Sequence, residues 1–87
     1  MEEQQIFQKL ESMLRDNGYI PSDKKITPEI KFRAELGMDS LDVYEFAYSV
    51  EEEFCVDIPD EKANQFETVG DYIKHIKDYQ EKSLRTV

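Results

Sequence analysis

Few residue types in this chain of 87 residues could carry out chemistry, because it contains only one cysteine and one histidine. A zinc site needs several such ligands at short spacing, and a catalytic set needs a nucleophile, a base and a stabilising donor within reach. We expect His75 to lie on a helix surface and Cys55 to pack as a small hydrophobic residue. The sequence therefore predicts no catalytic residue, no metal site and no enzyme.

Ser40 is the residue best placed to receive a chemical group, since Asp39 and Ser40 directly precede a helical pattern. Both are favoured N-cap residues. A phosphate ester on a serine at a helix N-terminus would lie beside free backbone N–H groups and the positive end of the helix dipole. Taken alone, Ser40 could equally serve only as a helix cap.

The residues before Ser40 predict one helix and a long loop. Apolar residues at helical spacing, Ile6, Leu10 and Leu14, indicate a first helix over about 3–16. The segment from 18 to 38 is longer than most structureless connections, and Thr27-Pro28 predicts one short helical turn within it. Four apolar residues should attach this loop to the core: Ile26, Ile30, Phe32 and Leu36.

Three further helices follow, and no segment shows the alternation of a strand. The second helix is predicted from Ser40 to about residue 54, the third over 60–65 and the fourth over 68–81. Asp60 is the predicted cap of the third helix. The last helix should begin with a capping box between Thr68 and Asp71. Its apolar face should be formed by Tyr72, Ile73, Ile76 and Tyr79. The prediction is a small all-α four-helix bundle, a single domain over 1–87 with its core at about 3–81 and a frayed tail at 82–87.

Successive residues of an α-helix are rotated by about 100° around its axis. With this rotation the predicted second helix has two apolar faces. One face should build the core: Val43, Phe46, Ala47, Val50 and Phe54. The opposite face combines apolar groups with carboxylates: Leu41, Tyr44, Glu45, Tyr48, Glu51 and Glu52. An exposed apolar patch with an acidic rim is typical of a docking surface, although the tyrosines could instead fold over neighbouring loops.

The charge balance restricts the partners, since twenty acidic and eleven basic residues give a net charge of -9. Such a chain repels nucleic acid and anionic membranes, and it attracts proteins with Lys and Arg patches. The first residues lack the features of a signal peptide, and no apolar run is long enough to span a membrane. We expect a cytoplasmic monomer with basic protein partners.

Residues 36–41 read Leu-Gly-Met-Asp-Ser-Leu and resemble the attachment motif of acyl carrier proteins. The resemblance continues in order and spacing through 51–54, 58–61 and 68–73, and it covers about residues 6–80. It implies that a holo-carrier-protein synthase transfers 4'-phosphopantetheine from coenzyme A to Ser40. Asp39 would help that enzyme to bind the metal ion that positions coenzyme A.

The resemblance also implies that the thiol of the arm holds acyl groups as thioesters, which the second helix presents to acyl-transferring and chain-elongating enzymes. These enzymes would belong to fatty acid, lipid or polyketide biosynthesis, and the bundle interior could shelter the acyl chain. Tyr44 and Tyr48 occupy positions that are commonly aliphatic in the family, which indicates partners with a different groove. The alternatives are an aminoacyl or other specialised cargo, and an acidic adaptor that is never modified.

Overall fold

The computed structural model describes residues 1–85 and consists of four α-helices joined by loops. The helices are α1 (Glu3–Asp16), α2 (Ser40–Phe54), α3 (Asp60–Gln65) and α4 (Val69–Arg85). Within this described part, one isolated antiparallel bridge between Lys31 and Thr68 is the only strand-like pairing. The predicted all-α four-helix bundle is confirmed.

Helix α1 buries Ile6, Leu10 and Leu14 and packs against α4. It ends where Gly18 takes a left-handed conformation with φ of 81°. The Gly18 N–H donates to Arg15 O and the Tyr19 N–H donates to Leu14 O, so the last carbonyl groups of the helix are satisfied. This reversal starts the long loop on the surface of the core.

The loop between α1 and α2 is attached to the core along its length. Its buried side chains are Ile20, Ile26, Ile30, Phe32 and Met38, and Leu36 is half-buried. The predicted helical turn after Thr27 is wrong: the Ile30 N–H donates to Thr27 O over 3.1 Å and closes a reverse turn. Lys31 then pairs with Thr68, and the loop turns again directly after it, where the Glu35 N–H donates to Lys31 O over 3.0 Å.

The ends of α3 and α4 differ from the prediction in two places. Asp60 is the first residue of α3, and Pro59 rather than Asp60 occupies the N-cap position. The capping box of α4 is confirmed, because the Thr68 N–H donates to Asp71 Oδ2 and the Asp71 N–H donates to Thr68 Oγ1. The helix continues past the predicted end at 81 to Arg85, since good helix formers follow one another there. Residues 86–87 of the predicted tail lie outside the described part.

A cluster of four aromatic rings fills the core between the loop, α2 and α4. The ring of Tyr72 contacts those of Phe32 and Phe46, each with centroids 5.4 Å apart, and that of Phe66 at 4.7 Å. Tyr72 has no exposed surface. Tyr79, predicted on the same buried face, is 37% exposed, because the helix has by then passed the end of the bundle core.

The prediction that Cys55 is packed was wrong, because its side chain is exposed. Cys55 caps the C-terminus of α2 in the left-handed conformation, with φ of 55° and ψ of 45°. That conformation turns its side chain away from the buried stripe that ends at Phe54. His75 is half-buried on α4, and its Nε2 lies 2.8 Å from Asp57 O, so it ties the α2–α3 connection to α4.

Candidate functional site

The loop enters α2 through a sharp turn that only a few residue types allow. Gly37 has φ of 68°, a conformation that glycine adopts without steric cost. The next residue, Met38, is 4% exposed, and its N–H donates to Phe32 O over 3.1 Å. The turn thus anchors Met38 in the core and places the following two residues at the surface.

Asp39 is the N-cap of α2, and its bonds with Asp42 are reciprocal. The Asp42 N–H donates to Asp39 Oδ1 over 2.8 Å, and the Asp39 N–H donates to Asp42 Oδ2 over 3.1 Å. This capping box fixes the start of the helix and adds negative charge at its positive end. The capping role that the sequence suggested for Asp39 is therefore confirmed, and the cap leaves its exposed carboxylate facing solvent.

Ser40 is the first residue of α2, and its side chain is exposed. The first turn of an α-helix has backbone N–H groups without partners inside the helix. A phosphodiester on this serine would lie next to those donors and at the positive end of a helix of 15 residues. The position is therefore accessible to an enzyme and favourable for a negatively charged arm.

Next to Ser40, the outward face of α2 combines apolar groups with carboxylates. Leu41 is 64% exposed, Tyr48 66% and Tyr44 39%. Glu45 and Glu52 are exposed beside them, and the five residues together span about 100° of the helix circumference. Leu41 and Tyr48 therefore stand largely in solvent, whereas Tyr44 is more than half covered by the described fold.

Glu51, which the sequence grouped with this face, lies at its edge beside Tyr44 and is bonded within the fold. Its side chain is half-buried, and Oε2 accepts a hydrogen bond of 2.8 Å from the Ile58 N–H. The Cys55 turn folds the chain back along α2 and brings the Ile58 N–H to this carboxylate. Glu51 therefore holds the α2–α3 connection in place rather than standing free for a partner.

Tyr19 is a neighbour of the site that the sequence did not reveal. Its ring lies edge-on to that of Phe46, with centroids 6.5 Å apart. Partial burial raises the pKa of its phenol, and the carboxylates of Asp42, Glu45 and Asp39 raise it further, which places the phenol near the first turns of α2. No local pattern predicts this contact, because it depends on how the loop returns across the core.

Other kinds of site are not supported by residues 1–85. No group of three or more His, Cys, Asp or Glu side chains there could hold a metal ion. Nor does that part of the chain contain a helix long and apolar enough to cross a membrane. The acidic helix face beside an accessible serine is thus the main candidate site.

Comparison with known proteins agrees with this geometry. Residues 8–76 match the family model of the phosphopantetheine attachment site. An acyl carrier protein of Treponema denticola is 45% identical over 75 residues, covering 86% of this chain and 95% of that protein. An acyl carrier protein of Lactobacillus acidophilus is 39% identical over 80 residues, covering 92% of this chain and 99% of that protein.

Solved structures give the same result. A crystal structure of an acyl carrier protein from Thermotoga maritima matches with a TM-score of 0.79 and 26% identity over 94% of each chain. A mitochondrial acyl carrier protein of Toxoplasma matches with a TM-score of 0.72 and 26% identity over 91% of each chain. The matched family, the shared fold and the full-length relatives together show that this chain belongs to the acyl carrier proteins, which carry acyl groups on phosphopantetheine and are not enzymes.

Proposed function

We propose that Ser40 is the residue to which 4'-phosphopantetheine is attached. The observation that carries this proposal is the exposed hydroxyl of Ser40 at the N-terminus of α2, directly after the Asp39 cap. The Ser40 oxygen forms a bond to the phosphorus that bears the pantetheine of coenzyme A, and the bond from that phosphorus to the adenosine bisphosphate breaks. The hydroxyl proton leaves with a base of the synthase, and the new phosphodiester lies beside the free N–H groups of α2.

Intact mass spectrometry tests this assignment. We expect the wild-type chain to gain one phosphopantetheine when incubated with coenzyme A, Mg²⁺ and a phosphopantetheinyl transferase of broad specificity, and Ser40→Ala to gain none. Ser49→Ala is the matched control, because Ser49 lies on the same helix and its hydroxyl donates to Glu45 O. Failure to modify the wild type with several transferases would favour the unmodified adaptor.

We further propose that five residues of α2 form a docking surface: Leu41, Tyr44, Glu45, Tyr48 and Glu52. Its partners would be the holo-carrier-protein synthase and acyl-transferring and chain-elongating enzymes of fatty acid, lipid or polyketide biosynthesis. The exposed tyrosines supply apolar contact area and the two carboxylates attract Lys and Arg. We infer that the protein acts as a monomer, because a second copy bound to this surface would exclude the enzymes. We further infer that it acts in the cytoplasm.

The kinetics of the synthase test the docking surface. We expect Tyr48→Ala to raise the KM of the synthase for this chain by about tenfold, because truncating a central interface aromatic typically costs more than 1 kcal/mol. Glu45→Gln should mainly weaken the dependence of kcat/KM on salt. Tyr79→Ala, which changes a partly exposed tyrosine on α4, is the matched control. Equal KM values for Tyr48→Ala and Tyr79→Ala would contradict the docking role.

A further inference from the structure

The core contains one polar group whose bonding is incomplete. The hydroxyl of Tyr72 is buried and has no hydrogen-bond partner among the described residues. Its residue has no exposed surface, and the other buried side chains of the core are apolar. A buried hydroxyl without a partner destabilises a fold, and such groups in native proteins usually have a role or a ligand.

Aromatic rings surround Tyr72 on three sides. Phe32 comes from the long loop, Phe46 from α2 and Phe66 from the connection after α3. Phenylalanine cannot satisfy the hydroxyl, since its ring carries neither an N–H donor nor an oxygen acceptor. Burial raises the pKa of the Tyr72 phenol strongly, so the hydroxyl keeps its proton near neutral pH and stays both a donor and an acceptor.

Contacts between rings also connect this hydroxyl with the neighbourhood of Ser40. Tyr19 lies near the first turns of α2, its ring meets that of Phe46, and Phe46 meets Tyr72. Phe46 is six residues after Ser40, which is about 9 Å along the helix axis. To bring its cargo to Tyr72, a group attached to Ser40 would have to part these rings, which are held together by apolar contacts.

We propose that the Tyr72 hydroxyl selects cargo that carries an oxygen close to the thioester, namely short 3-hydroxyacyl or 3-oxoacyl groups. This inference depends on the proposed attachment at Ser40. Where the hydrocarbon part of the cargo faces the hydroxyl, a saturated chain would leave it without a partner, whereas a hydroxyl or keto oxygen on C3 would form a hydrogen bond with it. Tyr72 is thus a specificity-determining residue for the carried group and takes no part in its chemistry.

The test compares two cargoes that differ by one oxygen atom. The chain is loaded from the butyryl and the 3-hydroxybutyryl amide analogues of coenzyme A, whose acyl groups cannot hydrolyse during heating. Intact mass establishes loading before any melting curve is recorded. Absence of loading would count against the attachment at Ser40, and only loaded protein tests the role of Tyr72.

We expect the 3-hydroxybutyryl form of the wild type to melt about 4–8 °C above the butyryl form, the shift that one additional hydrogen bond gives in a domain of this size. Tyr72→Phe, which removes only the hydroxyl, should abolish this difference. Tyr79→Phe makes the same change at a partly exposed position of α4 and should retain it. A difference that persists in Tyr72→Phe, or that is absent from the wild type, would overturn the proposal.

A spectroscopic measurement covers the case in which Tyr72→Phe does not fold. The ¹³Cζ resonance of Tyr72 reports hydrogen bonding of its own hydroxyl. It should shift in the wild-type chain on loading with 3-hydroxybutyryl and move much less on loading with butyryl. Equal shifts with the two cargoes would overturn the proposal.

Discussion

At the scale of single residues, the candidate site consists of two neighbouring residues, Asp39 and Ser40, with different roles. Asp39 holds the start of α2 through its reciprocal bonds with Asp42, and Ser40 begins the helix with an exposed hydroxyl. The cap and the proposed attachment site are thus adjacent, so the group that orders the helix would also determine where the arm begins. Asp39 could assist the synthase only through the solvent-facing part of the same carboxylate.

Two substitutions of Asp39 separate its structural role from its role in transfer. Asp39→Ala should lower the free energy of unfolding by about 1 kcal/mol, the usual value of an N-cap. Asp39→Asn should retain most of that stability, because an asparagine oxygen also accepts the Asp42 N–H. We expect both variants to be modified more slowly by the synthase, because both lack the carboxylate. Thermal unfolding and initial rates of transfer measure the two effects, and wild-type rates for Asp39→Asn would show that the charge is not needed.

At the scale of elements, the helices that could be predicted are those whose signals are local. Apolar spacing predicted α1 with its observed bounds, and Thr68 with Asp71 predicted the start of α4. The end of α4 was missed, because no glycine or proline marks it. The reverse turn at Thr27 was missed for another reason: Thr27-Pro28 suits the start of a helix and a reverse turn alike, and only the bond from the Ile30 N–H to Thr27 O separates the two.

The candidate site could be predicted only in part, for the same physical reason. Ser40, Asp39 and the exposed stripe follow from sequence motif and helical geometry. The hydrogen bond from the Ile58 N–H to Glu51 depends on the left-handed turn at Cys55. That turn could not be predicted, because the residue that forms it is not a glycine. The approach of Tyr19 to Phe46 depends on the path of the whole loop. Such contacts arise from tertiary structure and leave no periodic signal.

The turn after α2 offers a prediction at the scale of this element. Cys55 is the only residue other than glycine with positive φ in residues 1–85. The left-handed conformation costs a non-glycine residue about 1–2 kcal/mol, and glycine loses part of that gain through its greater flexibility when unfolded. We expect Cys55→Gly to stabilise the fold by about 0.5–1 kcal/mol. Chemical denaturation measures this value, with Cys55→Ala as the control that should show no gain.

At the scale of the whole molecule, we expect the charge of -9 to influence both the choice of partners and the stability of the fold. Many carboxylates lie close together at the end of α2 and the start of α3, where Glu53, Asp57 and Asp60 are exposed. Two surface ion pairs, Lys9 with Glu53 and Arg15 with Glu11, offset only part of this excess. The same charge that attracts basic enzymes therefore weakens the compact state by self-repulsion.

Cations should relieve this repulsion. We expect millimolar Mg²⁺ or Ca²⁺, and also about 0.2 M NaCl, to raise the melting temperature by a few degrees through screening and weak association. Without a built site for a divalent ion in the described residues, the rise should be gradual with concentration rather than saturating tightly. Differential scanning calorimetry across a concentration series measures this dependence. A melting temperature that does not change with either cation would contradict the account of charge repulsion.

The central claim is that this chain carries acyl groups as thioesters on an arm at Ser40. The most direct test is intact mass spectrometry of the unmodified chain after the transferase has moved acetyl-phosphopantetheine onto it from acetyl coenzyme A, followed by treatment with neutral hydroxylamine, which cleaves thioesters. The account predicts that one acetyl-phosphopantetheine appears on the wild type and none on Ser40→Ala, and that hydroxylamine removes only the acetyl group. An acetyl group that resists hydroxylamine, or an adduct that also forms on Ser40→Ala, would contradict it.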